Sequence, residues 1–130
     1  MDKSLEDFLA LPDVNDIQEE IFVSKRVGKF KVKAMTADEH QEYMKRSKGK
    51  IKKDGTDFDS TKFNLLIVAG QTITPDFSNA ELLKKAGCST AIDFIKKKLL
   101  AGEIAEAAER IIEVSGFDND INEDIDEAKN

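Results

Sequence analysis

Apolar residues recur at helical spacing over much of the chain and change to a strand-like alternation in one stretch. The clearest helical stretch is residues 103–115, in which apolar side chains fall three or four positions apart. Gly102 is expected to separate this helix from the preceding one and Gly116 to end it, because glycine readily adopts the left-handed conformation that closes helices. The apolar positions are Ile104, Ala107, Ala108, Ile111 and Ile112.

The alternating stretch covers residues 29–34, where apolar residues take every second position between three lysines. This is the pattern of a half-buried β-strand. Residues 17–25 are the expected antiparallel partner, with the turn at residues 26–28. Glu19 and Glu20 are expected to face the lysines across the pair. Because an isolated two-stranded hairpin is only marginally stable, helices must cover its apolar face.

Capping signals indicate where two helices in the centre of the chain begin. Thr36 and Glu39 have the spacing of a capping box, which predicts a helix running to about Ser47. Asp59 is expected to cap a second helix, which runs through Gln71 and is apolar on nearly every side. This second helix is expected to be central and the most buried in the protein.

Two shorter helices are predicted after these. A turn at residues 74–77 leads to Ser78 and Glu81, which have the spacing of a second capping box. They open a short helix that Gly87 is expected to close. A further helix is expected over residues 89–100, beginning at a serine.

Together these elements predict an α+β fold that is mostly α, with a small antiparallel β-hairpin packed on a helical body. Residues 1–117 are expected to form a single domain, and residues 118–130 an acidic tail with a helical pattern. A chain of 130 residues that is 40% apolar can bury a core without a metal or a disulfide.

The single Cys88 fits a reducing compartment and no secretory signal opens the chain, so the cytoplasm is the expected location.

Most of the negative charge lies in the tail. Residues 118–130 contain six acids against one lysine, a net charge of −5, while the whole chain carries −6. Residues 1–117 are therefore nearly neutral. An acidic segment that offers charge without a pocket is typical of a tethered interaction element rather than of a catalytic site.

Neither catalysis nor a cofactor or metal site is predicted. His40 is the only histidine and is expected to face solvent from its helix, since a metal site needs further ligands at suitable spacing. Cys88 has no histidine nearby in sequence and is expected to be a small buried residue. The tail resembles a calcium loop, but Glu123 stands where that loop requires glycine and Lys129 where it requires an acid.

A basic run begins in the helix that follows Thr36. Residues 48–55 are expected to form a mobile loop, because their glycines and like charges disfavour packing. The run could contact phosphates or pair with the acidic tail of the same or a neighbouring chain, but a solvated loop is favoured because the run lacks aromatic residues. Its members are Lys45, Arg46, Lys48, Lys50, Lys52 and Lys53.

Two apolar stripes are candidates for binding a partner. Leu5, Phe8 and Leu9 share one face of a short helix predicted before Pro12. The tail carries a second stripe at positions four apart. Each stripe either docks onto another protein or folds back onto its own domain. The second stripe consists of Phe117, Ile121 and Ile125.

Several short segments occur in a characteristic order along nearly the whole chain. They are LEDFL at residues 5–9, the hairpin segment at 23–32, the helical segment at 58–77, LLAGEI at 99–104, GFD at 116–118 and EAKN at 127–130. In their order and spacing they resemble the XkdN-like tail assembly chaperones of PBSX-type phages and prophages. None of these segments carries chemistry of its own.

The resemblance implies a non-catalytic assembly factor of a contractile-tail phage or a defective prophage. It would act in the host cytoplasm and be absent from the mature virion. The implied partner is the tape measure protein, a long helical protein whose exposed apolar stripes would aggregate unless covered. The two stripes defined above would then contact this partner or a second copy of the chain. No membrane partner is expected, and the acidic composition argues against nucleic acid.

Two other functions remain open at this point. A nucleic-acid-binding regulator would use the basic run between Lys45 and Lys53, and its affinity would fall steeply with salt. An acidic inhibitor protein would use the tail to mimic phosphate charge, and would lose its basic partner when residues 118–130 are removed.

Overall fold

In the computed structural model, residues 1–52 and 55–117 are described, except for the side chains of residues 50–52 and 55–56. Their helices and small antiparallel sheets confirm the predicted α+β, mostly α, fold class. The helices are α1 Lys3–Leu9, α2 Ala37–Arg46, α3 Ser60–Gln71, α4 Ala80–Ala86, α5 Ala91–Lys98 and α6 Ala101–Val114, with a 3₁₀ turn at Val14–Asp16. The strands are β1 Gln18–Ser24, β2 Gly28–Lys33, β3 Lys48–Lys52, β4 Gly55–Phe58 and β5 Thr72–Thr74.

The predicted hairpin is present as β1 and β2, but it belongs to a sheet of three strands. β5 pairs antiparallel with β2, so the strand order is β1-β2-β5. The prediction of a two-stranded hairpin was therefore incomplete. β5 has only three residues, too few to show an alternating pattern.

Only one of the two expected glutamate–lysine pairings across the hairpin is formed. Glu20 lies opposite Lys31, whereas Glu19 lies opposite Val32. The expectation that both glutamates face lysines was wrong, because successive side chains of a strand point to opposite faces of the sheet.

The core lies between the sheet and helices α3 and α6. The consecutive residues 65–68 of α3 are all buried, because this helix packs against α5 and α6 and adjoins β5. Helix α6 turns its buried face toward α3 and β1, and it carries the apolar positions predicted for it. Phe77, just beyond β5, packs edge-to-face on Phe30 of β2 with ring centroids 5.6 Å apart.

Three predicted helix boundaries were wrong by one or two residues. Gly102 lies inside the first turn of α6, and the break between α5 and α6 falls at Leu99 and Leu100 instead. Asn79 rather than Ser78 caps α4, and α5 begins after Thr90 rather than at the serine before it. For α4 and α5 a neighbouring residue supplied an equally good cap, so local sequence alone did not distinguish the two. For α6 the Leu100 side chain provides no cap, and the Glu103 carboxylate accepts from the Leu100 amide instead.

Of the residues expected to form a loop, 48–52 and 55 belong instead to a second hairpin, β3–β4, while residues 53 and 54 lie outside the described residues. Lys48 lies opposite Phe58 at its base. Just beyond that pair, the amide of Asp59 donates to the carbonyl of Ser47 at 2.8 Å. The prediction failed because strand pairing satisfies the backbone whatever the side-chain charges are, and flanking helices α2 and α3 bring the two ends together.

Other helix ends are confirmed. The Thr36 hydroxyl accepts from the Glu39 amide at 3.1 Å and the Glu39 carboxylate accepts from the Thr36 amide at 2.9 Å, as a capping box requires. Asp59 caps α3. Gly87 and Gly116 close α4 and α6 with φ of 69° and 96°. The tail, residues 118–130, lies outside the described residues.

Candidate partner-binding surfaces

Helix α1 carries the first predicted stripe on an exposed face. Asp2 caps the helix by accepting from the Ser4 amide at 3.1 Å, and no residue of α1 is buried. Leu5, Phe8 and Leu9 retain 56%, 72% and 72% of their accessible surface. The three residues are thus brought together as predicted, and they face solvent rather than their own domain. We call this surface the α1 face.

The second stripe begins at the end of α6 and is only partly described. Phe117 is 46% exposed, and its ring lies 4.8 Å from the ring of His40 on α2. Among the described residues its ring contact is therefore with α2 and not with the α1 face. Ile121 and Ile125 lie outside the described residues.

His40 does not face solvent freely, so that prediction was wrong. Its ring lies between Phe117 and Phe63, with the Phe63 centroid 5.9 Å away at an interplanar angle of 79°. Phe58 continues the series, 5.5 Å from Phe63. The cause is tertiary: α2 packs on α3, and the end of α6 is fixed nearby. The four rings, Phe117, His40, Phe63 and Phe58, form the aromatic row.

The basic run meets this row at Lys48. Lys45 and Arg46 are exposed in the last turn of α2, and Lys48 is exposed at the start of β3. Lys48 pairs with Phe58, the last member of the aromatic row. The expectation that the run lacks aromatic neighbours holds in the sequence but not in the fold. The side chains of Lys50, Lys52 and Lys53 lie outside the described residues.

Charged groups missed by the sequence reasoning join the β1–β2 turn to α6. The Glu103 carboxylate is nearly fully buried and is hydrogen-bonded and ion-paired to the Arg26 guanidinium. It also accepts from the Ser24 hydroxyl at 2.6 Å and from the Leu100 amide at 2.8 Å. The hydrogen bond from Arg26, followed by those from Ser24 and Leu100, lowers the pKa of Glu103 from 4.5 to about 2. This network holds the hairpin on α6 and is structural.

A second buried polar group anchors α3 to its neighbours. The side chain of Gln71 is fully buried and accepts from the Tyr43 hydroxyl at 2.7 Å. Its amide nitrogen donates to the carbonyls of Lys33 and Ala34, each at 3.2 Å. Burial raises the pKa of Tyr43 to about 12. All these polar atoms have partners within the fold, as buried polar groups require.

The features that bear on metal binding and catalysis are the metal-ligating side chains, Cys88 and a groove beside α6. Within residues 1–52 and 55–117, no group of three or more His, Cys, Asp or Glu side chains is placed to hold a metal ion. Cys88 is only partly buried, not the buried residue expected, with its sulfur 3.8 Å from the Ala86 carbonyl. An open groove of about 470 Å³ runs between β1 and α6, but Arg110 on its wall is already paired with Glu106 and Glu113.

A membrane-spanning helix is also absent from the part of the chain that the structure describes. The candidates for partner binding are the α1 face, the aromatic row and the exposed cations Lys45, Arg46 and Lys48.

Comparison with known proteins gives three findings. A family model described as phage XkdN-like tail assembly chaperone protein matches residues 5–129. The phage-like element PBSX protein XkdN of Bacillus subtilis (strain 168) is 31% identical over 86 residues, which cover 65% of this chain and 55% of that protein. The chain thus spans about half the length of this relative. The crystal structure of the protein YqbN is similar with a TM-score of 0.60 and 28% identity, covering 78% of this chain and 86% of that one.

Proposed function

The chain belongs to the phage XkdN-like tail assembly chaperone family, and we propose that it binds the tape measure protein of its phage or prophage element and keeps it soluble during tail assembly. The proposal places it in the host cytoplasm, in the assembly of a contractile tail, and outside the finished virion. It involves no catalytic step.

The observation that carries the proposal is the α1 face. Leu5, Phe8 and Leu9 are exposed on one side of a capped helix that buries no residue against its own domain. A contiguous exposed apolar surface of this kind is typical of a protein-binding site. An amphipathic helix is also a common way to cover apolar stripes on a helical partner.

The expected contribution of the α1 face to binding is large enough to measure. Full burial of one Leu or Phe side chain is worth about 1.5–3 kcal/mol. Much of this favourable free energy is offset by the motion that both partners lose on binding. If only about 1.4 kcal/mol in total survives from the three side chains, their removal weakens binding about tenfold.

The test is co-expression of the chain with the tape measure protein from the same gene cluster, followed by size-exclusion chromatography. The unaltered chain is expected to yield a soluble complex. The variant Leu5→Ala/Phe8→Ala/Leu9→Ala is expected to leave most of the tape measure protein insoluble. Alanine preserves the helical propensity of α1, and the lost side chains are exposed, so the rest of the fold should be retained, as circular dichroism can verify.

A matched control removes exposed apolar surface elsewhere. Phe22 on β1 and Leu100 before α6 are exposed but lie outside both predicted stripes. The variant Phe22→Ala/Leu100→Ala is expected to form the complex normally. If the α1 variant and this control solubilise the tape measure protein equally well, the α1 face is not the binding surface. If even the unaltered chain elutes alone, the tape measure protein is not the partner.

A further inference from the structure

We propose that the aromatic row and the cations beside it form a docking surface for the acidic tail of the same chain, residues 118–130. The surface consists of the aromatic row together with Lys45, Arg46 and Lys48. This contact is a property of the free chain and does not depend on the tape measure protein.

The first argument is that the tail begins next to this surface. Gly116 closes α6, with its amide donating to the Glu113 carbonyl at 3.0 Å and the next amide to the Ile112 carbonyl at 3.2 Å. This closure turns the backbone so that the Phe117 ring contacts His40, 4.8 Å away. The tail therefore leaves the body from one end of the aromatic row.

The second argument is shape. From Phe117 the row continues through His40 and Phe63 to Phe58 in steps of 4.8, 5.9 and 5.5 Å. Both end rings remain exposed, Phe117 at 46% and Phe58 at 42%. Thirteen residues would reach about 45 Å if extended and about 20 Å as a helix, so the tail can cover the row in either form. Its apolar residues Ile121 and Ile125 are suited to contact exposed ring faces.

The third argument is charge. Phe58, the last ring of the row, pairs with Lys48, and Lys45 and Arg46 lie in the last turn of α2, just before Lys48 in the chain. The tail brings six acids against one lysine. An acidic segment with apolar anchors therefore matches a surface that combines rings with cations.

Carboxylate-to-amine cross-linking of the full chain tests this contact. A carbodiimide joins the tail acids to any lysine they touch. We expect cross-links to Lys45 and Lys48 to exceed those to the control lysines Lys84 and Lys96 by about fivefold or more. All four lysines are tethered to the tail, but docking raises the effective concentration of the tail acids only at the first two. Lys84 and Lys96 are likewise exposed, in the last turns of α4 and α5, but lie outside the aromatic row.

Mixing ¹⁵N-labelled and unlabelled chains before cross-linking distinguishes the two possible origins of the tail. If every cross-linked peptide pair is either fully labelled or fully unlabelled, the tail contacts its own chain, which supports the proposal. Cross-links between species would assign the surface to the tail of a second copy and overturn it. The preferred cross-links should also disappear in 1 M NaCl, where the screening length falls to about 3 Å.

A second measurement does not depend on lysine reactivity. A nitroxide attached to Asn122→Cys in a Cys88→Ser background is expected to broaden the amide signals of residues 44–48. Adding Lys45→Glu/Arg46→Glu to this spin-labelled chain should abolish the broadening. Adding the control substitutions Lys84→Glu/Lys96→Glu should leave it unchanged. If residues 44–48 are broadened no more than residues 82–86 of α4, the tail does not dock on this surface and the proposal fails.

Discussion

Gly70 is the position at which a single added methyl group should test the packing of α2 on α3. A Cβ built on Gly70 would lie 2.0 Å from the Tyr43 hydroxyl oxygen and 2.9 Å from Cζ of the same ring. Neither distance is compatible with non-bonded contact, so Tyr43 must move in the variant Gly70→Ala. Its hydroxyl then leaves the side-chain oxygen Oε1 of Gln71, to which it donates at 2.7 Å.

The magnitude follows from three opposing effects. Gln71 is fully buried, and leaving its oxygen without a donor costs about 1–3 kcal/mol. Forcing a methyl group into a packed contact costs a further 1–3 kcal/mol or so. Alanine stabilises a helix interior by about 1 kcal/mol relative to glycine. The net expectation is a loss of about 3 kcal/mol in the free energy of unfolding, the midpoint of a range of about 1–5 kcal/mol.

Urea unfolding followed by circular dichroism measures this loss, and a double-mutant cycle identifies its cause. The Tyr43→Leu variant lacks the hydroxyl that clashes with an alanine at position 70. In this background the side-chain oxygen of Gln71 has lost its donor whether residue 70 is glycine or alanine. Gly70→Ala should then be neutral, or stabilising by up to about 1 kcal/mol. Because Tyr43 is the only tyrosine and the chain has no tryptophan, its tyrosinate absorbance reports directly on the site. The Tyr43 pKa of about 12 should fall toward the ordinary value of 10 in Gly70→Ala.

The reasoning would be refuted by an equal effect of Gly70→Ala in both backgrounds. Such a result would show that the glycine acts through the backbone alone and that contact with Tyr43 is irrelevant. An unchanged tyrosinate titration in a clearly destabilised Gly70→Ala variant would lead to the same conclusion.

Two further predictions concern the polar contacts that hold the elements together. The pKa of Glu103 is lowered from 4.5 to about 2 in the fold, so its stabilising contribution is fully present above the unfolded value and is lost as the pH falls through about 2. As the pH falls from about 4.5 to about 2, the free energy of unfolding should therefore decrease less steeply in Glu103→Gln than in the unaltered chain. Parallel curves would contradict the lowered pKa of Glu103. Thr36→Ala should lower the unfolding free energy by about 1 kcal/mol by removing the cap of α2, whereas Thr36→Ser, which keeps the hydroxyl, should not; equal urea midpoints for the two variants would show that the cap contributes nothing.

Local sequence determined the features that depend on a few neighbouring residues. Thr36, Asp59, Gly87 and Gly116 each cap or close a helix where their chemistry predicts it, because the end of a helix needs a partner for its backbone groups within one turn of the chain. The hairpin β1–β2 was likewise visible, since the alternation of apolar residues and lysines specifies both the strand and its buried face. The shared face of Leu5, Phe8 and Leu9 followed from a similar spacing argument, whereas its exposure was decided by the fold.

Tertiary structure decided the features that join distant parts of the chain. β5 becomes a strand only because α3 ends beside β2, and β3–β4 forms a hairpin although its composition suggested a loop. His40 sits between two phenylalanine rings from α3 and the end of α6. Glu103 is a buried carboxylate only because Arg26, 77 positions away in sequence, reaches it.

The physical reason is the range of the interactions. A cap satisfies backbone groups within a few residues, and a periodic pattern assigns nearby side chains to the buried or the exposed face. Both can therefore be predicted from the local sequence. Burial of a polar or aromatic side chain depends on which surfaces meet after the chain closes over long separations, and many sequences with the same local pattern would bring different surfaces together. The sequence by itself therefore determined the longer helices, the β1–β2 hairpin and the shared helix face of Leu5, Phe8 and Leu9. Only the folded chain showed that this face is exposed and brought Phe58 of the aromatic row opposite Lys48.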